Sequence, residues 1–193
     1  MYAPHDYSHT SHLQELLVVF DGNSFIENLS ITRTLNYLIY EKEIPSCITV
    51  AIDHVDRLDD LTYNDKMITF LKDELLPWIQ ARYHVLKEPK HTTIAGLSLG
   101  GLAAFYAALQ NPHVLSLSGS IHWKKEGFEN NIPWMENQIA SVNLNANHVQ
   151  FYMTAGQLEN EPLLSANRHL YGVLKEKGYQ TTYEEFQGGH DSV

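Results

Sequence analysis

Cysteine is nearly absent: Cys47 is the single one in 193 residues. One thiol cannot close an intrachain disulfide, so a disulfide-stapled scaffold is excluded and a reducing compartment is expected. Long apolar runs are missing too. No stretch approaches the roughly 18 residues that span a bilayer. Met1 to Gln14 is polar and His-rich, without the apolar centre of a signal peptide. Basic residues are few: 13 Lys and Arg stand against 23 Asp and Glu, a net charge of −10. That balance disfavours phosphate backbones and anionic lipid, so neither nucleic acid nor membrane is the expected partner. These absences together predict a cytoplasmic protein. They leave oligomeric state open.

Repeats, low-complexity segments and linkers are also lacking. What is present is a chain 44% hydrophobic and 19% charged, too apolar for a disordered one. Its length suits one core. Short β-branched apolar runs alternate with longer helical ones. Strands are predicted at Glu15–Phe20, Cys47–Asp53, Thr92–Leu97, Val114–Ser118, Val149–Ala155 and Gln180–Phe186. Helices are predicted at Ser30–Tyr40, Asn64–Arg82, Ser98–Leu109, Pro133–Ala140 and Pro162–Lys177. Pro77 should kink the second helix or mark its last turn. Asp53–Leu61 and Lys124–Asn131 read as charged loops. Six strands alternating with helices predict an α/β fold, a three-layer α/β/α sandwich with a mostly parallel sheet.

The sharpest local feature is Gly96-Leu97-Ser98-Leu99-Gly100, fed by a strand and left by a helix. That is the setting of a nucleophile elbow, where a tight turn lifts a serine hydroxyl above the sheet. The flanking glycines clear space where strand and helix cross. The backbone N–H of Leu99, at a helix N-terminus, faces a developing oxyanion. A glycine-rich turn that binds a phosphate, or nothing, is the plainer alternative.

His190, in Gly188-Gly189-His190-Asp191 after the last strand, stands where the histidine of a Ser…acid…His order belongs. It would act as the general base for Ser98. The acid should follow the strand Val149–Ala155, where Glu159 and Glu161 both qualify. Glu159 has the shorter reach back over the sheet and is preferred. Glu161, before Pro162, is the alternative acid, and serves equally well the N-terminus of the next helix. Asp21-Gly22-Asn23 follows the first strand. The N–H of Asn23 is the second candidate oxyanion donor, against a plain β-turn. His5, His9 and His12 read as a solvated tail rather than a metal site. His122 lies on the same rim as the elbow and could line a pocket.

These residues carry a resemblance. LLVVFDG, ITVAID with Arg57 and Asn64, DELLPWI, TTIAGLSLGGLAAFYAAL, SLSGSIHW, TAGQLENEP and FQGGHD stand in order from Leu16 to Asp191. The chain resembles the esterase-D-type branch of the α/β-hydrolases, most of all the catalytic domain of enterochelin (siderophore trilactone) esterases. The resemblance implies Ser98 as nucleophile, His190 as base, Glu159 as acid, and Asn23 and Leu99 as oxyanion donors. It implies Arg57 beside the active site, either as a substrate contact or in a structural ion pair with Asp59 or Asp60. It implies Trp123 as an aromatic for stacking on a substrate ring. Set against that family, the single domain over residues 1–193 is expected to lack the first strand and the C-terminal helix.

The expectation is a serine carboxylic ester hydrolase with a Ser-His-Glu triad, acting on a small-molecule ester such as an enterobactin-type trilactone. A general small-ester or acyl-carbohydrate esterase, a thioesterase, and a degenerate non-catalytic hydrolase fold are the alternatives. Such a triad needs no metal and no organic cofactor; iron would arrive with the substrate.

Overall fold

The structure is a computed structural model and describes residues 1–5, 7, 12–108, 113–123, 134–141 and 149–190. Its strands are β1 (Glu15–Val19), β2 (Cys47–Ala51), β3 (Thr92–Leu97), β4 (His113–Leu117), β5 (Gln150–Gly156) and β6 (Gln180–Phe186). Its helices are α1 (Gly22–Glu27), α2 (Ile31–Tyr40), α3 (Arg57–Leu61), α4 (Asp65–Thr69), α5 (Leu76–Arg82), α6 (Leu99–Ala108), α7 (Trp134–Ser141) and α8 (Glu161–Glu176). The strands form one sheet in the order β2-β1-β3-β4-β5-β6, and every neighbouring pair is parallel. Beyond β2, Tyr2 adds an isolated antiparallel bridge to Thr49. Among the described residues no helix is long and apolar enough to cross a membrane.

Side chains of a strand alternate between faces, and the chain uses both. Leu16, Val18 and Phe20 join Ile48, Ile94, Val114, Phe151 and Met153 on one face. Residues of α5, α6, α7 and α8, among them Ile79, Leu102, Ile139 and Leu170, pack on them. Val19 and Ala95 turn the other way, onto Phe25 of α1, with Leu17, Leu115 and Leu117 partly buried beside them. Helices on the two faces make the three layers. Strand β2, with four of its five residues buried, shows no polar alternation, whereas β5 and β6 alternate exposed and buried positions because their second face is open.

The six strands fall within one or two residues of their predicted places, as do α2, α6, α7 and α8. Two short helices differ from expectation. The turn expected at Asp21-Gly22-Asn23 runs straight into α1, and Arg57–Leu61 lies inside the stretch Asp53–Leu61 expected as a loop. Six and five residues are too few to show a helical period. What holds α3 is its cap: the Asp56 side chain accepts from the N–H groups of Leu58 and Asp59, both at 3.1 Å. The loop predicted at Lys124–Asn131 lies outside the described residues, as does His9.

The predicted Asn64–Arg82 helix is interrupted, though not at its end. Phe70–Leu75 is a π-helical stretch, and Pro77 sits in the first turn of α5 just after it. Proline has no N–H to give and its ring crowds the carbonyl four residues back. The wider turn, in which the Leu76 N–H reaches the Leu71 carbonyl, takes up that mismatch before the proline.

Helix α6 is apolar on every side, and nine of its ten residues are buried. Its Phe105 is fully buried and stacks on Phe151 of β5, with ring centroids 5.4 Å apart and planes 9° apart. This is the point at which α6 is locked to the sheet. Phe105→Ala should lower the unfolding free energy by about 3–5 kcal/mol. Urea denaturation with an unchanged m-value is the measurement that checks it.

Candidate active site

All strands are parallel, so the loops after β1, β3, β4, β5 and β6 leave the same edge of the sheet. In open α/β sheets that carboxyl edge is where ligands bind. Each predicted site residue comes from one of these loops or from a helix that follows a strand: Asn23 from α1, Arg57 from α3, Leu99 from α6 and Glu161 from α8.

Ser98 joins β3 to α6. Its backbone is left-handed, with φ 59, a conformation that costs a non-glycine residue about 1–3 kcal/mol. Three backbone bonds hold it there. Its N–H donates to the Leu117 carbonyl at 2.9 Å, and its carbonyl accepts from Ser120 at 2.9 Å and Leu102 at 3.2 Å. The turn is tight enough that a Cβ on Gly96 would lie 2.2 Å from the Gly100 carbonyl carbon. Only glycine fits there.

From that elbow a chain of hydrogen bonds runs away from the serine. Ser98 Oγ lies 2.9 Å from His190 Nε2, and His190 Nδ1 lies 3.0 Å from Glu159 Oε2. The carboxylate at one end fixes the direction. Nδ1 donates to Glu159, so Nε2 accepts from the Ser98 hydroxyl. Glu159 has a fully buried side chain, while His190 is 44% exposed. A buried carboxylate needs partners. Glu159 Oε1 accepts from the Gly156 N–H at 2.8 Å and from the Ser118 hydroxyl at 2.5 Å.

The histidine loop is built against the acid loop. Gln157 N–H donates to the Phe186 carbonyl and Leu158 N–H to the Gly188 carbonyl, both at 2.9 Å. A Cβ on Gly156 would come within 2.4 Å of the Gly188 carbonyl oxygen, so this contact too requires glycine. Glu161, the alternative acid, lies exposed in the first turn of α8 and is not the carboxylate bonded to His190. Asn160 caps that helix instead, accepting from Leu163 N–H at 3.0 Å.

The two candidate oxyanion donors are first-turn amides: Leu99 of α6 and Asn23 of α1. Such amides have no acceptor within their own helix. β1 and β3 are adjacent, with Val19 beside Ala95, so the two helices start side by side. The Asn23 side chain is occupied elsewhere, donating to the Asp53 carboxylate. The plain turn weighed at Asp21-Gly22 is the left-handed entry to α1, with Asp21 at φ 56.

Arg57 has a different partner from either one considered. It forms a two-pronged pair with Asp21, Nε to Oδ1 at 2.6 Å and Nη2 to Oδ2 at 2.8 Å. Asp59 and Asp60 are engaged locally, by Asn64 Nδ2 and by the Val55 N–H. Neighbours along a short helix could not offer the planar fork that Asp21 offers from across the sheet edge. His54 joins the same carboxylate residue, its Nε2 accepting from the Asp21 N–H at 3.2 Å. The Arg57 side chain remains 46% exposed, beside a hollow of about 340 Å³ lined also by Asp21, Ser24, Asp53 and Leu97. An apolar groove of about 600 Å³ beside α2 contains none of Ser98, Glu159 or His190.

Trp123 is 39% exposed on the rim. Its carbonyl is held by the buried Tyr63 hydroxyl at 2.6 Å. Burial pushes the Tyr63 phenol up, so it stays a donor. His122, between Ile121 and Trp123, is partly buried. That burial, and then the neighbouring His190, pull its imidazole below the usual histidine range.

Four participants were not foreseen: Ser118 on the acid, Ser120 at 3.1 Å from Ser98 Oγ, Asp21 on Arg57, and Tyr63 under Trp123. Ser118-Gly119-Ser120 is visible as a strand end, yet nothing in a serine's spacing says which carboxylate or hydroxyl it will meet. Among the described residues no group of three or more His, Cys, Asp or Glu side chains is placed to hold a metal ion.

Comparison with known proteins places the chain in a family. The iron(III) enterobactin esterase of Escherichia coli O6:H1 (strain CFT073) is 29% identical over 191 residues, 95% of this chain and 47% of that protein. The enterobactin esterase of Shigella flexneri, solved in the presence of enterobactin, superposes with a TM-score of 0.86 at 26% identity, over 99% of this chain and 50% of the other. A ferulic acid esterase shares the fold, with a TM-score of 0.81 at 19% identity, over 98% of this chain and 83% of that one. The chain spans about half the length of the enterobactin esterases it matches. A family model described as a putative esterase matches residues 1–193, and with an all-parallel sheet and the fold of α/β-hydrolase-type esterases, the chain belongs to that putative esterase family.

Proposed function

We propose that the protein is a serine carboxylic ester hydrolase with a Ser98–His190–Glu159 triad. The observation that carries this reading is the unbroken line of hydrogen bonds from Ser98 Oγ through His190 to the buried Glu159. Ser98 Oγ attacks the ester carbonyl carbon as His190 Nε2 takes its proton. The carbonyl π pair moves to oxygen, where the Leu99 and Asn23 amides stabilise it. Collapse breaks the bond to the leaving alkoxide, which takes the proton back from His190. Water, deprotonated by His190, then attacks the acyl-serine. The product acid leaves and Ser98 recovers its proton. Glu159 holds the imidazole in the required tautomer and offsets its charge when protonated.

The substrate class we infer is a siderophore ester of the enterobactin type. Support comes from the relatives named as enterobactin esterases and from residues already on the rim. The exposed edge of the Arg57 guanidinium suits catecholate or carboxylate oxygens, and Trp123 suits an aromatic ring. The net charge of −10 gives no general attraction for an anionic iron complex, so recognition falls to these local groups.

A fluorophosphonate probe should label the chain at Ser98, and Ser98→Ala should abolish labelling. Absence of labelling in the unaltered protein, or persistence in Ser98→Ala, sinks the triad reading. Glu159→Gln should fold, keep Ser98 in place and lower kcat by about 10³–10⁴-fold, because an amide no longer fixes the tautomer. Steady-state hydrolysis of a chromogenic ester reads this out. Product analysis with an ester panel should show higher kcat/KM for a catecholate trilactone than for acetyl and feruloyl esters. A flat preference for short acyl chains would instead make the protein a general esterase.

A further inference from the structure

Ser98 Oγ has a second partner that the triad leaves unexplained. Ser120 Oγ lies 3.1 Å from it. The direction of this bond follows from the others. The Ser98 proton is committed to His190 Nε2, so Ser98 Oγ can only accept here, and Ser120 must donate. The donors therefore all point one way: Ser120 hydroxyl to Ser98, Ser98 hydroxyl to His190, His190 Nδ1–H to Glu159.

Ser120 is fixed for this task from several directions. It is 6% exposed. Its N–H donates to the Ser98 carbonyl at 2.9 Å, so the two residues hold each other through both backbone and side chain. Its carbonyl accepts from the Trp123 N–H at 2.9 Å. The preceding Gly119 carbonyl accepts from Asn167 Nδ2 at 2.7 Å, and Asn167 is fully buried in α8. Two residues earlier, Ser118 donates to the far side of Glu159. One short segment after β4 thus touches both ends of the triad.

We infer that Ser120 is a catalytic residue whose hydroxyl donates to Ser98 Oγ and stabilises the charge that oxygen carries as it attacks and as it leaves. This rests on the serine-hydrolase reading above and adds a fourth side chain to it. In acylation, Oγ loses its proton to His190 and forms the bond to the acyl carbon. Ser120 occupies one lone pair while another makes the bond. In the acyl-enzyme, Oγ is an ester oxygen and a poor acceptor, so the Ser120 bond weakens. In deacylation the C–Oγ bond breaks and its electron pair returns to Oγ. There the Ser120 proton stabilises it until His190 Nε2 delivers its own. Ser120 keeps its proton throughout, so no charge or atom is left over.

The test compares Ser120→Ala and Ser120→Thr with the unaltered protein. Two rates are read: second-order labelling of Ser98 by a fluorophosphonate, and single-turnover hydrolysis of p-nitrophenyl acetate. Removing the hydroxyl should slow both by about 10- to 100-fold, the worth of one hydrogen bond to a charged group. The thermal unfolding midpoint should stay within about 2 °C, since the alanine loses only one oxygen and leaves Ser98 Oγ still bonded to His190. Ser120→Thr should recover most of the loss. Unaltered rates in Ser120→Ala overturn the role of Ser120 while leaving the triad standing. A loss that tracks a fallen unfolding midpoint, or that threonine fails to restore, also overturns it. No labelling of the unaltered protein removes the triad and this role together.

Discussion

Gly96 and Gly100 meet backbone to backbone, and that contact sets the site. With no room for a Cβ on Gly96, β3 and α6 cross close enough for the connecting residue to be forced into the left-handed region. Ser98 accepts that conformation because bonds from β4 and its following loop satisfy both its N–H and its carbonyl. Asp21 and Ser118 at the same edge are left-handed as well, and this strain is offset by packing elsewhere, above all by the burial of α6 and the Phe105–Phe151 stack. A stiff helix behind a strained serine gives a hydroxyl with one position rather than several. The histidine and the acid gain nothing from their own order unless that position is fixed.

A second constraint is electrostatic. The site carries a buried carboxylate at Glu159 and a nearly buried one at Asp21, in a chain that is already acidic. Each is handled differently. Asp21 is paired with a permanent cation, Arg57, in a two-pronged geometry. Glu159 has no cation and is held by neutral donors, Ser118, Gly156 N–H and His190. The difference suits their places. A carboxylate neutralised by arginine does little to a neighbouring imidazole. One surrounded by neutral donors keeps its field for the histidine it touches. Asp21 and Arg57 instead brace the entry to α1, whose first-turn amides lie next to those of α6.

The loop after β4 joins these two constraints. It supplies the Ser120 N–H for the Ser98 carbonyl, a hydroxyl for Glu159, another for Ser98 Oγ and the carbonyl that Tyr63 holds. Asn167 pins its glycine from the helix that follows the acid. Elements distant in the chain thus meet through one short segment, and a disturbance there would reach nucleophile and acid at once.

Much of this was legible in the residues. The alternation of strand and helix followed from hydrophobic period, and the elbow from glycine spacing around a serine between a strand and a helix. Glu159 was preferred over Glu161 on reach alone, and it is Glu159 that bonds His190. The short helices α1 and α3 were not legible, because five or six residues carry no period, and neither was the widened turn before Pro77. Arg57 marks the limit most clearly. Its neighbours in sequence offered Asp59 and Asp60, yet it bonds Asp21, 36 residues away. Residue order sufficed to name the groups able to do chemistry and the strands that carry them to one edge, because backbone period and glycine sterics are local. Which carboxylate meets which cation, and which hydroxyl meets the nucleophile, depends on the folded sheet. Those partners come from different strands, and their distances exist only once the sheet has set its order.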